Sequence, residues 1–141
     1  MEILSKSTQD TQKLASELAL KVRPKDIIFL YGDLGSGKTT FVSAFVSSLG
    51  IEKRVQSPTF IIHRVYEHSN KIRVNHLDLY RVTTLNELED LNIHEIFEEE
   101  NSICFVEWPQ ILHKTKWEKT AKKIFLEYLS ENERIIKVER F

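Results

Sequence analysis

Three of the four glycines in this chain fall within residues 32–37. They belong to the segment Gly-Asp-Leu-Gly-Ser-Gly-Lys-Thr at residues 32–39, which is a GxxxxGK[ST] motif. A short apolar run at residues 26–31 precedes the motif, and a helical pattern at residues 38–49 follows it. Between a strand and a helix, the amides of such a loop and the positive end of the helix dipole form an anion site. The motif therefore predicts binding of a nucleoside triphosphate.

Each position of the loop has a chemical role in this interpretation. Lys38 is expected to reach the β- and γ-phosphates, and Thr39 to offer its hydroxyl to Mg²⁺. Thr40, one residue further on, is expected to reach the α-phosphate. The remaining predicted binding residues of the loop are Asp33, Leu34, Gly35, Ser36 and Gly37.

The rest of the chain reads as strands alternating with helices, which is typical of an α/β fold. Helices are predicted at residues 8–22, where Pro24 ends the pattern, and from the capping box of Thr84 and Glu87. Asn92 is expected in the left-handed region at the end of the latter helix. Further strands and hairpins are predicted at residues 60–67 with 72–79, at residues 102–106, and in the C-terminal twenty residues.

These elements predict a single domain, residues 1–141, with the P-loop NTPase fold. Its sheet is expected to be mixed but mostly parallel and flanked by helices, with a β-hairpin insertion. The length of 141 residues is that of an ordinary domain and can bury a core without disulfides.

Two acidic residues stand where apolar strands are predicted to end. Glu107 follows the run at residues 103–106, and Asp78 closes Val74-Asn75-His76-Leu77. Ligands bind at the carboxyl ends of parallel strands, so either acid is a candidate for the Mg²⁺ shell. The residues leave open which of the two touches the metal. Thr59, in Gln56-Ser57-Pro58-Thr59-Phe60, is a candidate switch residue for the γ-phosphate or its Mg²⁺.

Composition excludes several other classes of protein. Twenty basic and twenty-one acidic residues give a net charge of −1, which does not favour a general nucleic-acid binder. The single cysteine, Cys104, excludes a disulfide framework and lies in an apolar run, as a core residue would. No apolar stretch approaches the ~18 residues of a membrane span, and no signal peptide is evident, so we expect no membrane partner and a cytoplasmic location.

Four motifs together resemble those of the TsaE/YjeE family of small bacterial P-loop ATPases. They are GDLGSGKTTF at residues 32–41, SPTF at 57–60, HLDLYR at 76–81 and EWP at 107–109. Their order and spacing match the family over residues 8 to 109, whereas the C-terminal thirty residues carry little of its pattern. Proteins of this family are needed for threonylcarbamoyladenosine modification of tRNA.

The resemblance implies a set of residue roles and partners. ATP would lie on residues 32–40, with Mg²⁺ held by Thr39 and Glu107. Thr59 would be the switch residue, Asp78 the essential acid, and Trp108 the tryptophan beside the nucleotide, while Thr8 matches a position near the adenine. The implied partners are the proteins TsaD and TsaB, whose complex this chain would bind and reset by ATP hydrolysis, contacting tRNA only indirectly.

On this basis Lys38, Thr59, Asp78 and Glu107 are the predicted catalytic residues of a Mg²⁺-dependent ATP hydrolase that is slow without its partners. A P-loop small-molecule kinase is the alternative enzyme. A binding module in which ATP only gates docking is the non-enzymatic alternative. His76 is expected to be a structural hydrogen-bonding residue near Asp78.

Overall fold

We describe the protein from a computed structural model that covers residues 1–141. All of its strands belong to one seven-stranded sheet. The strands are β1 (Glu2–Ser5), β2 (Ile27–Tyr31), β3 (His63–Tyr66), β4 (Arg73–Asp78), β5 (Ser102–Glu107), β6 (Lys122–Tyr128) and β7 (Arg134–Glu139). The helices are α1 (Thr8–Ala19), α2 (Lys38–Ser48), α3 (Leu85–Asp90) and α4 (Ile93–Glu98), and two 3₁₀ helices span Pro109–Lys114 and Lys116–Lys119.

The sheet has the strand order β1-β7-β6-β2-β5-β4-β3. Its centre, β6-β2-β5-β4, is parallel, whereas β3 pairs with β4, β7 with β6 and β1 with β7 in antiparallel fashion. The predicted mixed α/β sheet is therefore confirmed, with parallel pairing in the middle and antiparallel hairpins on both sides. Since β2, β4 and β5 run side by side in one direction, their carboxyl ends lie at one edge of the sheet.

Alternation along the central strands divides the core into two clusters, one on each face of the sheet. Phe105 of β5 faces α2, where its ring meets the Phe45 ring edge-on with centroids 4.9 Å apart. Cys104 and Val106 face the opposite way, toward Leu88 and Phe97 of the short helices. Burial raises the pKa of the Cys104 thiol to about 12, so it stays protonated, as expected for a core residue.

Local capping signals set several element boundaries. The Ser7 side chain accepts a hydrogen bond from the Asp10 amide at the start of α1, and Thr84 does the same for Glu87 at α3. Gly50 follows α2 with a φ of 82°, and Asn92 separates α3 from α4 with a φ of 56°. The capping box at Thr84 and the left-handed Asn92 were both predicted correctly.

Other boundaries differ from the sequence prediction. Helix α1 ends at Ala19 rather than at residue 22, and Leu20 is exposed. The predicted strand at residues 60–67 shortens to His63–Tyr66, because the amides of Ile61 and Ile62 donate back to the Pro58 carbonyl and form a turn. Strand β1, helix α4 and the two 3₁₀ helices were not predicted. No helix combines the length and the apolar composition that a membrane crossing requires.

Candidate nucleotide-binding site

The glycine-rich loop connects the carboxyl end of β2 to the first turn of α2. Gly37, immediately before the helix, has a φ of 99°, which a side chain would disfavour. At Gly32 a Cβ atom would lie 2.8 Å from the Leu126 carbonyl oxygen, so only glycine fits against β6. The first turn of α2 contains no acidic residue, which leaves the positive end of its dipole uncompensated by side chains.

Lys38 is buried although it carries an ammonium group. Its Nζ donates a hydrogen bond to the Gly32 carbonyl oxygen at 2.7 Å and lies 3.7 Å from Oε1 of Glu107. The same atom lies 4.5 Å from the centroid of the Trp108 ring, a cation–π distance. The ammonium therefore stands between the loop and the end of β5.

Glu107 is the last residue of β5, and its carboxylate is almost entirely buried. Oε2 lies 2.6 Å from Nε2 of His76, whereas Oε1 faces Lys38. His76 was expected near Asp78, but its hydrogen-bonding partner is Glu107 on the neighbouring strand. A buried carboxylate needs such partners because it has lost its hydration.

Asp78 ends β4 directly beside Glu107, with which it is in register. Its Oδ2 accepts a hydrogen bond from the Thr59 hydroxyl at 3.1 Å, and its Oδ1 accepts one from the Tyr80 amide at 2.9 Å. Thr59 in turn lies 2.6 Å from the Ser57 hydroxyl. The structure thus brings the candidate switch residue into contact with one of the two strand-end acids.

Trp108 follows Glu107 in a left-handed conformation, with a φ of 53°. A non-glycine residue in this region is strained, and such strain concentrates at functional sites. The turn places the indole beside Lys38 and 5.0 Å from the Tyr80 ring, measured between centroids. Trp108 therefore lies at the same edge as the loop.

A polar cavity adjoins the loop on the side of α1 and the β6–β7 turn. Thr8, the first residue of α1, lines it together with Thr40 of α2. The other lining residues are Ser5, Ser7, Thr11, Ser36, Gly37, Leu126, Glu131, Asn132 and Arg134. Thr39 lines a different surface depression along α1 and α2. Asp33 is exposed, and its carbonyl oxygen accepts a hydrogen bond from the Ser36 amide at 3.0 Å.

Arg134 was not among the predicted site residues. Its Nε donates to the Ser36 carbonyl oxygen at 3.1 Å, and its Nη2 lies 3.4 Å from the Gly35 carbonyl oxygen. The guanidinium also stacks on Tyr128 and binds backbone carbonyls of the β6–β7 turn. No local signal could have identified Arg134 as a site residue, because the two loop residues that it contacts are 98 and 99 positions away.

The donor set suits Mg²⁺ bound partly through phosphate oxygens. That metal prefers hard oxygen ligands and commonly takes only one or two from the protein. Thr39 contributes a hydroxyl in the first turn of α2, and Glu107 has one carboxylate oxygen that bonds no protein donor other than the Lys38 ammonium. The chain contains no cluster of three or more His, Cys, Asp or Glu side chains that would hold a metal by itself.

The parallel sheet, the glycine loop and the helix that follows define a protein with the P-loop NTPase fold. A model of the family "Threonylcarbamoyl adenosine biosynthesis protein TsaE" matches residues 5–136. The chain belongs to the TsaE family, whose role is in threonylcarbamoyladenosine biosynthesis.

Individual relatives agree with this assignment. Proteins from Bacillus subtilis and Aquifex aeolicus, both named tRNA threonylcarbamoyladenosine biosynthesis protein TsaE, are 38% and 36% identical to the chain. The Aquifex match covers 99% of this chain and 96% of that protein. The Bacillus match covers 75% of this chain and 65% of that protein, which is less than two thirds of its length.

The crystal structure of Bacillus subtilis YdiB has a similar fold. It superposes with a TM-score of 0.77 at 28% sequence identity, covering 98% of this chain and 83% of that one. The predicted fold class is thereby confirmed.

Proposed function

We propose that this chain binds ATP with Mg²⁺ and hydrolyses it in support of threonylcarbamoyladenosine modification of tRNA. The observation that carries the proposal is the placement of Lys38. Its buried ammonium lies between the carbonyl of the glycine loop and the carboxylate of Glu107. An anion-binding loop, a buried cation and a strand-end acid at one edge are three of the parts that phosphoryl transfer to water uses.

Each loop residue then has a defined task. The backbone amides of residues 33–37 bind the phosphates, and Lys38 balances the charge on the β- and γ-phosphate oxygens. Water attacks the γ-phosphorus, the bond to the ADP oxygen breaks, and ADP and phosphate leave. Positioning and electrostatic stabilisation supply most of the rate in such reactions.

The hydrogen bonds of the two acids support different roles for them. Both oxygens of Asp78 already accept protein hydrogen bonds, from Thr59 and from the Tyr80 amide. Glu107 presents Oε1 toward Lys38. We therefore assign Glu107, with Thr39, to Mg²⁺, which when bound neutralises phosphate charge, and Asp78 to holding the switch residue Thr59.

The nucleoside is proposed to extend from the loop toward the cavity that Thr8 and Thr40 line. The hydroxyl groups there can hydrogen-bond a ribose or a base. The centroid of the Trp108 ring lies 4.5 Å from the Lys38 ammonium, and we assign this side chain to shielding the phosphate end from water.

Exposed apolar side chains beside the site support a partner-coupled enzyme. Leu34 is 97% exposed, Phe60 is 80% exposed and Tyr80 is 64% exposed, and all three belong to the loop, switch or strand-end segments. Such residues are typical of contact surfaces when they are clustered. We assign this surface to the TsaD–TsaB complex, in the cytoplasm, with tRNA contacted only through that complex.

The fate of the γ-phosphate tests this function against its alternatives. With γ-labelled ATP, we expect the label only as free phosphate, and faster release when TsaD and TsaB are added. Label on a small metabolite would instead identify a kinase. Full tRNA modification in a reconstituted system with a non-hydrolysable ATP analogue would identify a nucleotide-gated binding module.

Arg134 gives a further prediction about nucleotide affinity. Arg134→Gln should weaken ATP binding by about 10- to 150-fold, because the loop carbonyls lose a charged hydrogen-bond donor worth ~1.5–3 kcal/mol. Titration calorimetry measures this. Arg140→Gln is the matched control. The Arg140 side chain also donates to backbone carbonyl oxygens, but they belong to Glu118 and Ala121 and not to the glycine loop. Equal ATP affinities for Arg134→Gln and Arg140→Gln would contradict a role of Arg134 in nucleotide binding.

A further inference from the structure

A chain of polar contacts runs from the switch segment, residues 56–60, to Glu107. The Tyr66 hydroxyl donates to the Gln56 carbonyl oxygen at 2.9 Å and accepts from the Gln56 amide at 3.1 Å. The same oxygen lies 3.4 Å from Nδ1 of His76, whose Nε2 lies 2.6 Å from Oε2 of Glu107. We call these contacts the Tyr66–His76 link.

The link is closed to solvent except at Gln56, which is exposed. The relative exposures are 0% for His76, 3% for Glu107 and 4% for Tyr66. Buried polar groups cannot exchange their partners for water without a large cost, so each group in the link constrains the next. Burial also raises the pKa of Tyr66, which keeps the phenol protonated and able to donate.

A second route joins the switch segment to the two strand-end acids, Asp78 and Glu107. Thr59 donates to Asp78, which is in register with Glu107 on the adjacent strand. The segment is therefore held at Gln56 through β3 and β4, and at Thr59 through the end of β4. Two routes of polar contacts therefore join Gln56 and Thr59 to the strands that carry Glu107 and Asp78.

We propose that His76 is a positioning residue that holds Oε2 of Glu107 so that Oε1 faces Lys38 and the Mg²⁺ position, and that Tyr66 couples this arrangement to the switch segment. The inference rests on the proposed function and deepens it. It assigns separate tasks to the two ring nitrogens of His76: Nε2 orients the acid, and Nδ1 faces the tyrosine.

Three variants separate these tasks. His76→Leu removes both contacts and should weaken Mg²⁺ binding to the nucleotide complex by ~10–100-fold, the usual cost of losing a group that orients a metal ligand. His76→Gln keeps an N–H near Glu107 but has no counterpart of Nδ1, so its Mg²⁺ affinity should stay near that of the parent. Tyr66→Phe should behave like His76→Gln.

Amide hydrogen exchange of residues 55–60 supplies the second measurement. Addition of Mg²⁺ with a non-hydrolysable ATP analogue should protect these residues in the parent but not in Tyr66→Phe or His76→Gln. The control is His63→Gln, which removes a histidine that is hydrogen-bonded to Asn75 on the same hairpin. This variant should keep both the Mg²⁺ affinity and the protection from exchange. Parent-like Mg²⁺ affinity in a folded His76→Leu, or parent-like protection in Tyr66→Phe, would overturn the proposal. If His76→Leu does not fold, the exchange measurements on His76→Gln and Tyr66→Phe still test whether Tyr66 couples the switch segment to Glu107.

The link can also be measured without any nucleotide. Glu107→Ala should speed exchange at residues 55–60 in the free protein, and no change there would mean that the link transmits nothing. Faster exchange together with a parent that binds no ATP would overturn the proposed function while leaving the link in place.

Discussion

Lys38→Ala should reduce ATP hydrolysis by about 10³-fold, the upper end of the range for loss of one preorganised electrostatic group. The ammonium lies 3.7 Å from Oε1 of Glu107, and it also binds the loop through the Gly32 carbonyl. Removing it takes away the charge that balances the γ-phosphate oxygens in the transition state. Steady-state phosphate release measures the loss.

Two further variants control this experiment. Lys38→Arg keeps the positive charge but replaces the compact ammonium with a larger, planar guanidinium. The two groups are not equivalent in a buried site, so this variant should also hydrolyse ATP more slowly. Lys25→Ala removes a half-exposed lysine that pairs with Glu98 away from the site, and it should retain parent activity. Undiminished turnover in a folded Lys38→Ala protein would contradict the role of the loop.

Glu107→Gln and Asp78→Asn should have different effects, although the two acids stand side by side. Glu107→Gln should lower turnover by about 10²-fold and raise the Mg²⁺ concentration needed for half-maximal rate, because a charged oxygen ligand is lost. Asp78→Asn should lower turnover while leaving the Mg²⁺ requirement near that of the parent, because it disturbs the bond to Thr59. Rates measured across a Mg²⁺ titration separate the two cases.

Thr59→Val is the matched companion to Asp78→Asn. Thr59→Val removes the hydroxyl that donates a hydrogen bond to Asp78, and it keeps the shape of the side chain. The two single variants and the double mutant should therefore lose similar fractions of the turnover rate. If the losses of turnover rate were additive in free energy, Thr59 and Asp78 would act independently, which would contradict the role assigned to their hydrogen bond. A Mg²⁺ requirement shifted by Asp78→Asn and not by Glu107→Gln would reverse the assignment of the metal ligand.

Elements with short-range causes could be predicted from the sequence. The loop at residues 32–39, the left-handed Asn92 and the N-cap at Thr84 depend on backbone sterics and hydrogen bonds within a few residues. The strand-end positions of Asp78 and Glu107 could be predicted for the same reason, since apolar runs end at each of them. Their catalytic and metal-binding roles stay predictions.

Elements that exist only through distant partners could not be predicted. Strand β1 is short and carries no turn signal of its own, and it forms because Glu2 to Ser5 pair with β7 at the opposite end of the chain. Ile61 and Ile62 favour a strand locally, but the Pro58 carbonyl holds them in a turn that leads into β3. Tertiary context overrides intrinsic β-propensity in such segments.

The amino-acid sequence alone determined the glycine-rich loop, the alternation of strands and helices, and the pair of strand-end acids, because each is specified by residues close together in the chain. Only the tertiary structure decided which groups meet. His76 bonds Glu107 across 31 positions, and Arg134 reaches the loop across 98. These contacts follow from strand order and register, which depend on how the whole sheet buries its two faces rather than on any local pattern.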